Sequence, residues 1–67
     1  METKTVKAKT VRPGDLLVQG DEWNLILEVH DEGPAILRFE VTRMLTGREP
    51  RRTFMYVGKE SAQTIEA

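Results

Sequence analysis

The sequence has no cysteine and only one histidine, one serine and one tryptophan. Without cysteine, neither a disulfide nor a thiolate zinc site can reinforce the core, and a single imidazole cannot build a histidine cluster. Ser61 and His30 leave little nucleophile and base repertoire to arrange, and neither a Gly-Xaa-Ser-Xaa-Gly elbow nor a glycine-rich phosphate loop occurs. The chain is therefore expected to be no enzyme and to need no cofactor or small-molecule substrate. No apolar run approaches the roughly 18 residues of a membrane span, and Met1-Glu2-Thr3-Lys4 lacks the apolar core of a signal peptide. These absences point to the cytoplasm and away from a membrane partner.

What remains is short. The chain of 67 residues, 39% hydrophobic and 31% charged, is read as one domain over residues 1–67, and a chain this small buries only about 60% of the surface exposed by its unfolded form. The net charge of −1 removes the overall basic signature of a dedicated nucleic-acid binder. Its distribution is uneven. Residues 1–12 carry Lys4, Lys7, Lys9 and Arg12 against Glu2, and residues 15–32 carry six carboxylates with no Lys or Arg. Residues 38–52 carry Arg38, Arg43, Arg48, Arg51 and Arg52 against Glu40 and Glu49. Segments of opposite sign are expected to neutralise one another across a sheet.

Hydrophobic alternation with a period of two dominates, which is the signature of half-buried strands. Trp23, Leu25, Leu27 and Val29 alternate over residues 22–30, with Ile26 the exception on the polar face; Ala35, Leu37, Phe39 and Val41 alternate in a second strand, with Ile36 the exception. This parity places Trp23 in the core beside Leu25 and Leu27, with an exposed contact role as the alternative, and it also favours core positions for Phe39, Phe54 and Tyr56. Arg12-Pro13-Gly14-Asp15, Gly20-Asp21, residues 31–34 and Leu45-Thr46-Gly47-Arg48 supply turn chemistry. They bound further strands at residues 5–10, 16–19, 50–57 and 61–65, although Ser61-Ala62-Gln63 also suits a helical turn. Five or six short antiparallel strands without an amphipathic helix predict an all-β fold, a small barrel whose closure removes exposed edges.

The series Arg12-Pro13-Gly14, Gly20, Trp23, Val29-His30, Gly33, Ala35, Arg38, Thr46-Gly47, Thr53-Phe54 and Gly58-Lys59-Glu60 resembles, in order and approximate spacing, the amino-terminal KOW-type domain of bacterial elongation factor P. The resemblance implies a Src-homology-3-like barrel and brings ribosome and transfer-RNA binding into view. The family's loop lysine has no counterpart, because no lysine lies between Lys9 and Lys59 and the corresponding loop is the acidic Asp31-Glu32-Gly33-Pro34. The family also continues into two further barrel domains beyond the part that this chain resembles.

Two functional expectations follow. The first is a non-enzymatic binding module, a bacterial or phage accessory protein, that binds a protein partner or a second copy of itself. The alternative is an RNA- or DNA-binding barrel. In both, the candidate binding residues are Arg43, Arg48, Arg51 and Arg52, which flank the Thr46-Gly47 turn, so that a hairpin is expected to gather four guanidinium groups at one end. No metal site is expected. His30-Asp31-Glu32 reads as a solvated turn, and a strand-borne pair of ligands would need a second contributing element.

Overall fold

The computed structural model describes residues 2–67. Six strands, β1 (Thr3–Lys7), β2 (Leu16–Gln19), β3 (Glu22–Asp31), β4 (Ile36–Leu45), β5 (Arg51–Gly58) and β6 (Ala62–Glu66), form one antiparallel sheet in the order β1-β6-β2-β3-β4-β5. The only helical element among the described residues is a 3-10 turn at Ala8–Thr10, where the expected first strand stops short. The Ser61 to Gln63 segment is not helical; it leads into β6. The all-β fold is thus as the alternation implied, but the barrel is not closed. β1 and β5 are the two edges of an open sheet.

Turn chemistry places the strands. The Asp15 amide donates to the Arg12 carbonyl (3.0 Å), with Gly14 at φ 95° in the third turn position, and the Arg48 amide donates to the Leu45 carbonyl (3.1 Å), with Gly47 at φ 77°. Both are positive-φ positions that a side chain would strain. Asp15 also accepts the Arg12 amide through Oδ2 (2.8 Å), which locks the first turn from inside.

One apolar cluster joins strands from across the sheet. Ala8, Val11, Leu17, Ile26, Leu37, Phe39, Val41 and Ile65 are buried together, with Val6, Val29, Met55 and Val57 packed against them. For residues of β6 and β4 to share one core, the sheet has to curl around it, and this curl is what the period-two pattern produces in place of closure.

The parity of β3 differs from the expectation. Its ladder with β4 pairs Ile26 with Val41 and then Glu28 with Glu40, so one residue is extra and the register shifts. This bulge lets Asn24 and Ile26 face inward before it and Val29 face inward after it, while Trp23 and Leu25 lie on the outer face. Ile26, the apparent exception, is a core residue, and Trp23 is 41% exposed. On β5, Met55 and Val57 supply the inner contacts, leaving Phe54 and Tyr56 outside, 50% and 65% exposed. Of the aromatic core expected from the sequence, only Phe39 is buried.

Charge complementarity fastens the ends. Lys9 Nζ lies 2.7 Å from Glu60 Oε2 and Lys7 Nζ 2.9 Å from Oε1, which ties the amino-terminal strand to the β5–β6 turn. The hydrogen bonds from Lys9 and then Lys7 hold the Glu60 carboxyl down from its ordinary 4.5 to about 2. A carboxyl depressed in the folded state contributes its stabilisation in full above the unfolded value, so this clip is lost as pH falls from about 4.5 toward 2. The groups are exposed, so salt weakens the effect. An NMR pH titration at low ionic strength should give a Glu60 midpoint near 2, and Lys9→Gln should raise it toward 4.5. An ordinary midpoint in the parent protein would show that the clip does not persist in solution.

Candidate functional site

The inner and outer faces of β3–β5 carry different chemistry. On the inner face, the apolar core ends in a polar network. Asn24 is fully buried; its Nδ2 donates to Glu22 Oε2 (2.9 Å), and its Oδ1 accepts from Arg43 Nε (2.9 Å). Arg43 Nε also lies 3.3 Å from Glu22 Oε2. A buried amide without partners costs roughly 1–3 kcal/mol, so Asn24 is tolerated at the core's edge because both its ends are satisfied. This assigns Arg43 a structural task.

Beyond that network the β4–β5 hairpin forms a cleft of about 820 Å³ whose walls include Glu22, Arg43, Arg48, Glu49, Pro50, Arg51 and Thr53. Three of the four expected arginines meet here. Arg51 pairs with Arg43 in the ladder and shares its face, while Arg48 follows the turn. The fourth does not join them. Consecutive residues of an extended strand point to opposite faces, so Arg52 lies opposite Thr42 on the outer face, where it pairs with Glu40. Among the described residues, neither Arg48 nor Arg51 has a carboxylate within ion-pair distance. Arginine cations that no internal partner neutralises are available to an anion.

The outer face is amphipathic. In the β4–β5 ladder, Phe54 lies opposite Glu40 and Tyr56 opposite Arg38. The Arg38 guanidinium sits 4.8 Å from the Phe54 ring centroid, a cation–π stack that holds the ring in place. Arg38 Nε is buried and has no hydrogen-bond partner among the described residues; its closest carboxylate oxygen is Glu32 Oε1 at 3.9 Å. Farther along the same face, Trp23 lies opposite Met44, and both line a hollow of about 250 Å³ with Asp21, Thr46 and Pro50. Ile36 adds an exposed apolar side chain at the start of β4. Acidic and basic groups interleave with these apolar ones. Glu28, His30, Arg38, Glu40 and Arg52 all belong to the outer face.

The sequence pointed to the arginine hairpin and missed the outer face. Phe54 and Tyr56 sit in a strand with apolar residues of both parities, so alternation alone does not choose between Phe54/Tyr56 and Met55/Val57. Arg51 and Arg52 give one charge to each parity, so they leave the choice of face open as well. Compared with known proteins, the chain matches no family model, no curated protein and no solved structure.

Proposed function

We propose that this chain is a non-catalytic binding module, a cytoplasmic accessory protein, that docks a protein partner along the outer face of β3–β5, with Phe54 and Tyr56 as anchors. The observation that carries this reading is the exposure of two neighbouring aromatic rings on one strand face, one of them held in position by Arg38. Pre-positioned aromatics lose little freedom on binding, and such residues supply most of the energy at protein interfaces. The interleaved signs of Glu28, Glu40, Arg38 and Arg52 suit a protein surface better than a uniform polyanion.

The position of these residues suggests how a partner segment lies. β5 is an edge strand, and from Thr53 to Gly58 its sequence contains no charge and no proline to block a further strand. An extended peptide pairing with this edge would bring alternate side chains alongside Phe54 and Tyr56. Panning a random peptide library on the parent, with the Phe54→Ser/Tyr56→Ser double variant as counter-selection, tests this. Selected peptides should shift the amide signals of Thr53–Gly58 and bind the variant at least about 30-fold more weakly, as expected when an anchor worth about 2 kcal/mol is lost. Peptides that bind both proteins equally, or whose shifts centre on Gly47–Arg51, would remove this reading.

A second reading rests on the cleft. Arg48 and Arg51, with Arg43 behind them, offer an anion site, and the KOW-type resemblance supports RNA or DNA as the occupant. Three phosphate contacts give a log–log salt slope of roughly −2 to −3. Binding that lacks this slope, or that survives Arg48→Ala/Arg51→Ala, would exclude it.

A further inference from the structure

We infer that Glu28, His30 and Glu40 form a binding site for a divalent transition metal of the zinc class on the outer face of the sheet. Glu28 and His30 are two residues apart on β3, and Glu40 lies directly opposite Glu28 on β4. The second contributing element that a strand-borne pair of ligands requires is therefore present. One donor atom from each of the three side chains lies within 4.8 Å of the others. His30 Nε2 is 3.3 Å from Glu28 Oε2 and 4.0 Å from Glu40 Oε1. Donors bound to one tetrahedral zinc at about 2.0–2.2 Å are roughly 3.3–3.5 Å apart, so the first separation already fits, and side-chain rotation has to close the others, which lie within 4.8 Å.

The backbone makes this arrangement. Without the extra residue between Ile26 and Glu28, strict alternation from Ile26 would turn Glu28 and His30 toward the core. The bulge brings both onto the outer face, with Glu28 opposite Glu40. It also places two carboxylates directly opposite one another, a like-charge pairing that costs stability unless a cation lies between them. Arg52 is a single cation against two carboxylates; it bonds Glu40 through Oε2, while Oε1 is the atom nearer to His30. A ligand carboxylate held through its second oxygen is the usual outer-shell arrangement at a metal. Arg38, the cross-strand neighbour of His30, is stacked on Phe54.

The donor set selects among cations. One imidazole and two carboxylates suit zinc and its neighbours, whereas magnesium and calcium favour sites built from oxygen donors in larger number. The two carboxylates face the ion's charge, one of them shared with Arg52, and three protein ligands leave a fourth tetrahedral position for water. The site shares Glu28 and Glu40 with the proposed docking face, but it rests on the donor geometry alone, and its zinc titration is read without a peptide present.

The test adds Zn²⁺ to the full chain and follows titration calorimetry together with the ring signals of His30, the only imidazole in the sequence. One Zn²⁺ per chain should bind, with the ring signals saturating at the same ratio. His30→Gln should weaken binding by at least about 100-fold and Glu28→Gln by at least about tenfold, since even outer-shell losses at metal sites cost 10–100-fold. Asp21→Asn, which removes an exposed carboxylate outside the cluster, should change nothing. Glu28→Gln also guards against misfolding, because the Glu28 side chain is exposed and, among the described residues, its one close charged-group contact is with His30. The inference is overturned if the His30 ring signals do not respond to Zn²⁺, or if the Glu28 variant keeps its fold and binds as tightly as the parent.

Discussion

Phe39→Ala should remove most of the stability of this domain. Phe39 is fully buried at the middle of β4, flanked across the ladders by Val29 and Met55. Truncating a buried phenylalanine costs about 3–5 kcal/mol, the lost transfer energy plus a cavity that close-packed neighbours cannot fill. A 67-residue domain at about 0.05–0.15 kcal/mol per residue has only roughly 3–10 kcal/mol in total. With a urea slope of about 1 kcal/mol/M for so small a protein, the midpoint should fall by about 3 M or more, leaving little or no folded baseline. Leu37→Ala, at the rim of the same cluster, should cost less, about 2–3 kcal/mol. A Phe39→Ala midpoint within 1 M of the parent would mean that the sheet does not curl around this side chain.

The second large effect separates two adjacent residues of β3. Ile26→Ala should destabilise by about 2–5 kcal/mol because Ile26 is buried against Val41, whereas Leu25→Ala should cost under about 1 kcal/mol because Leu25 is half-buried on the outer face opposite Thr42. Uninterrupted alternation requires the reverse order. Chemical denaturation of the two variants, compared at equal slope, therefore reads out the bulge itself. If Leu25→Ala proves the more damaging, the strand is in the uninterrupted register, and the Glu28–His30–Glu40 cluster disperses with it.

These residues also show how far sequence reasoning reached. Turns were legible because their chemistry is local. Gly14 and Gly47 take up the positive φ that Pro-Gly and Thr-Gly imply, and Asp15 bonds its own turn. Strand number, antiparallel pairing and the core positions of Leu37, Phe39 and Val41 followed from alternation. Face assignment failed wherever both parities carry apolar side chains. On β3, a bulge without glycine leaves no composition signal, and buried Asn24 looked solvent-facing because its partners Glu22 and Arg43 are brought together only by pairing. Closure was over-read for a related reason: the length that suits a small barrel equally suits a curled sheet whose edges remain open. The arginine site was half legible, because sequence proximity to a turn locates Arg43, Arg48 and Arg51 but cannot divide Arg51 from Arg52 without the strand's parity.

The strand order carries a kinetic meaning as well. β2 through β5 is a meander in which each strand pairs with its successor, and the β2–β3 turn spans only Gly20 and Asp21. Pairing β1 with β6 instead joins Lys7 to Ala62 and Thr3 to Glu66, across almost the whole sequence. Chain-closure entropy grows by about 0.6 kcal/mol per doubling of the loop, so bringing these outer strands together costs on the order of 3 kcal/mol more than closing a two-residue hairpin. Local contacts form before distant ones repay that cost. The order of assembly then runs from the central hairpins outward. The aromatic strand β5 and its partner β4 come from the early, short-range part of the folding route, while the terminal strands, with Val6 and Ile65, dock late to seal the remaining flank of the core.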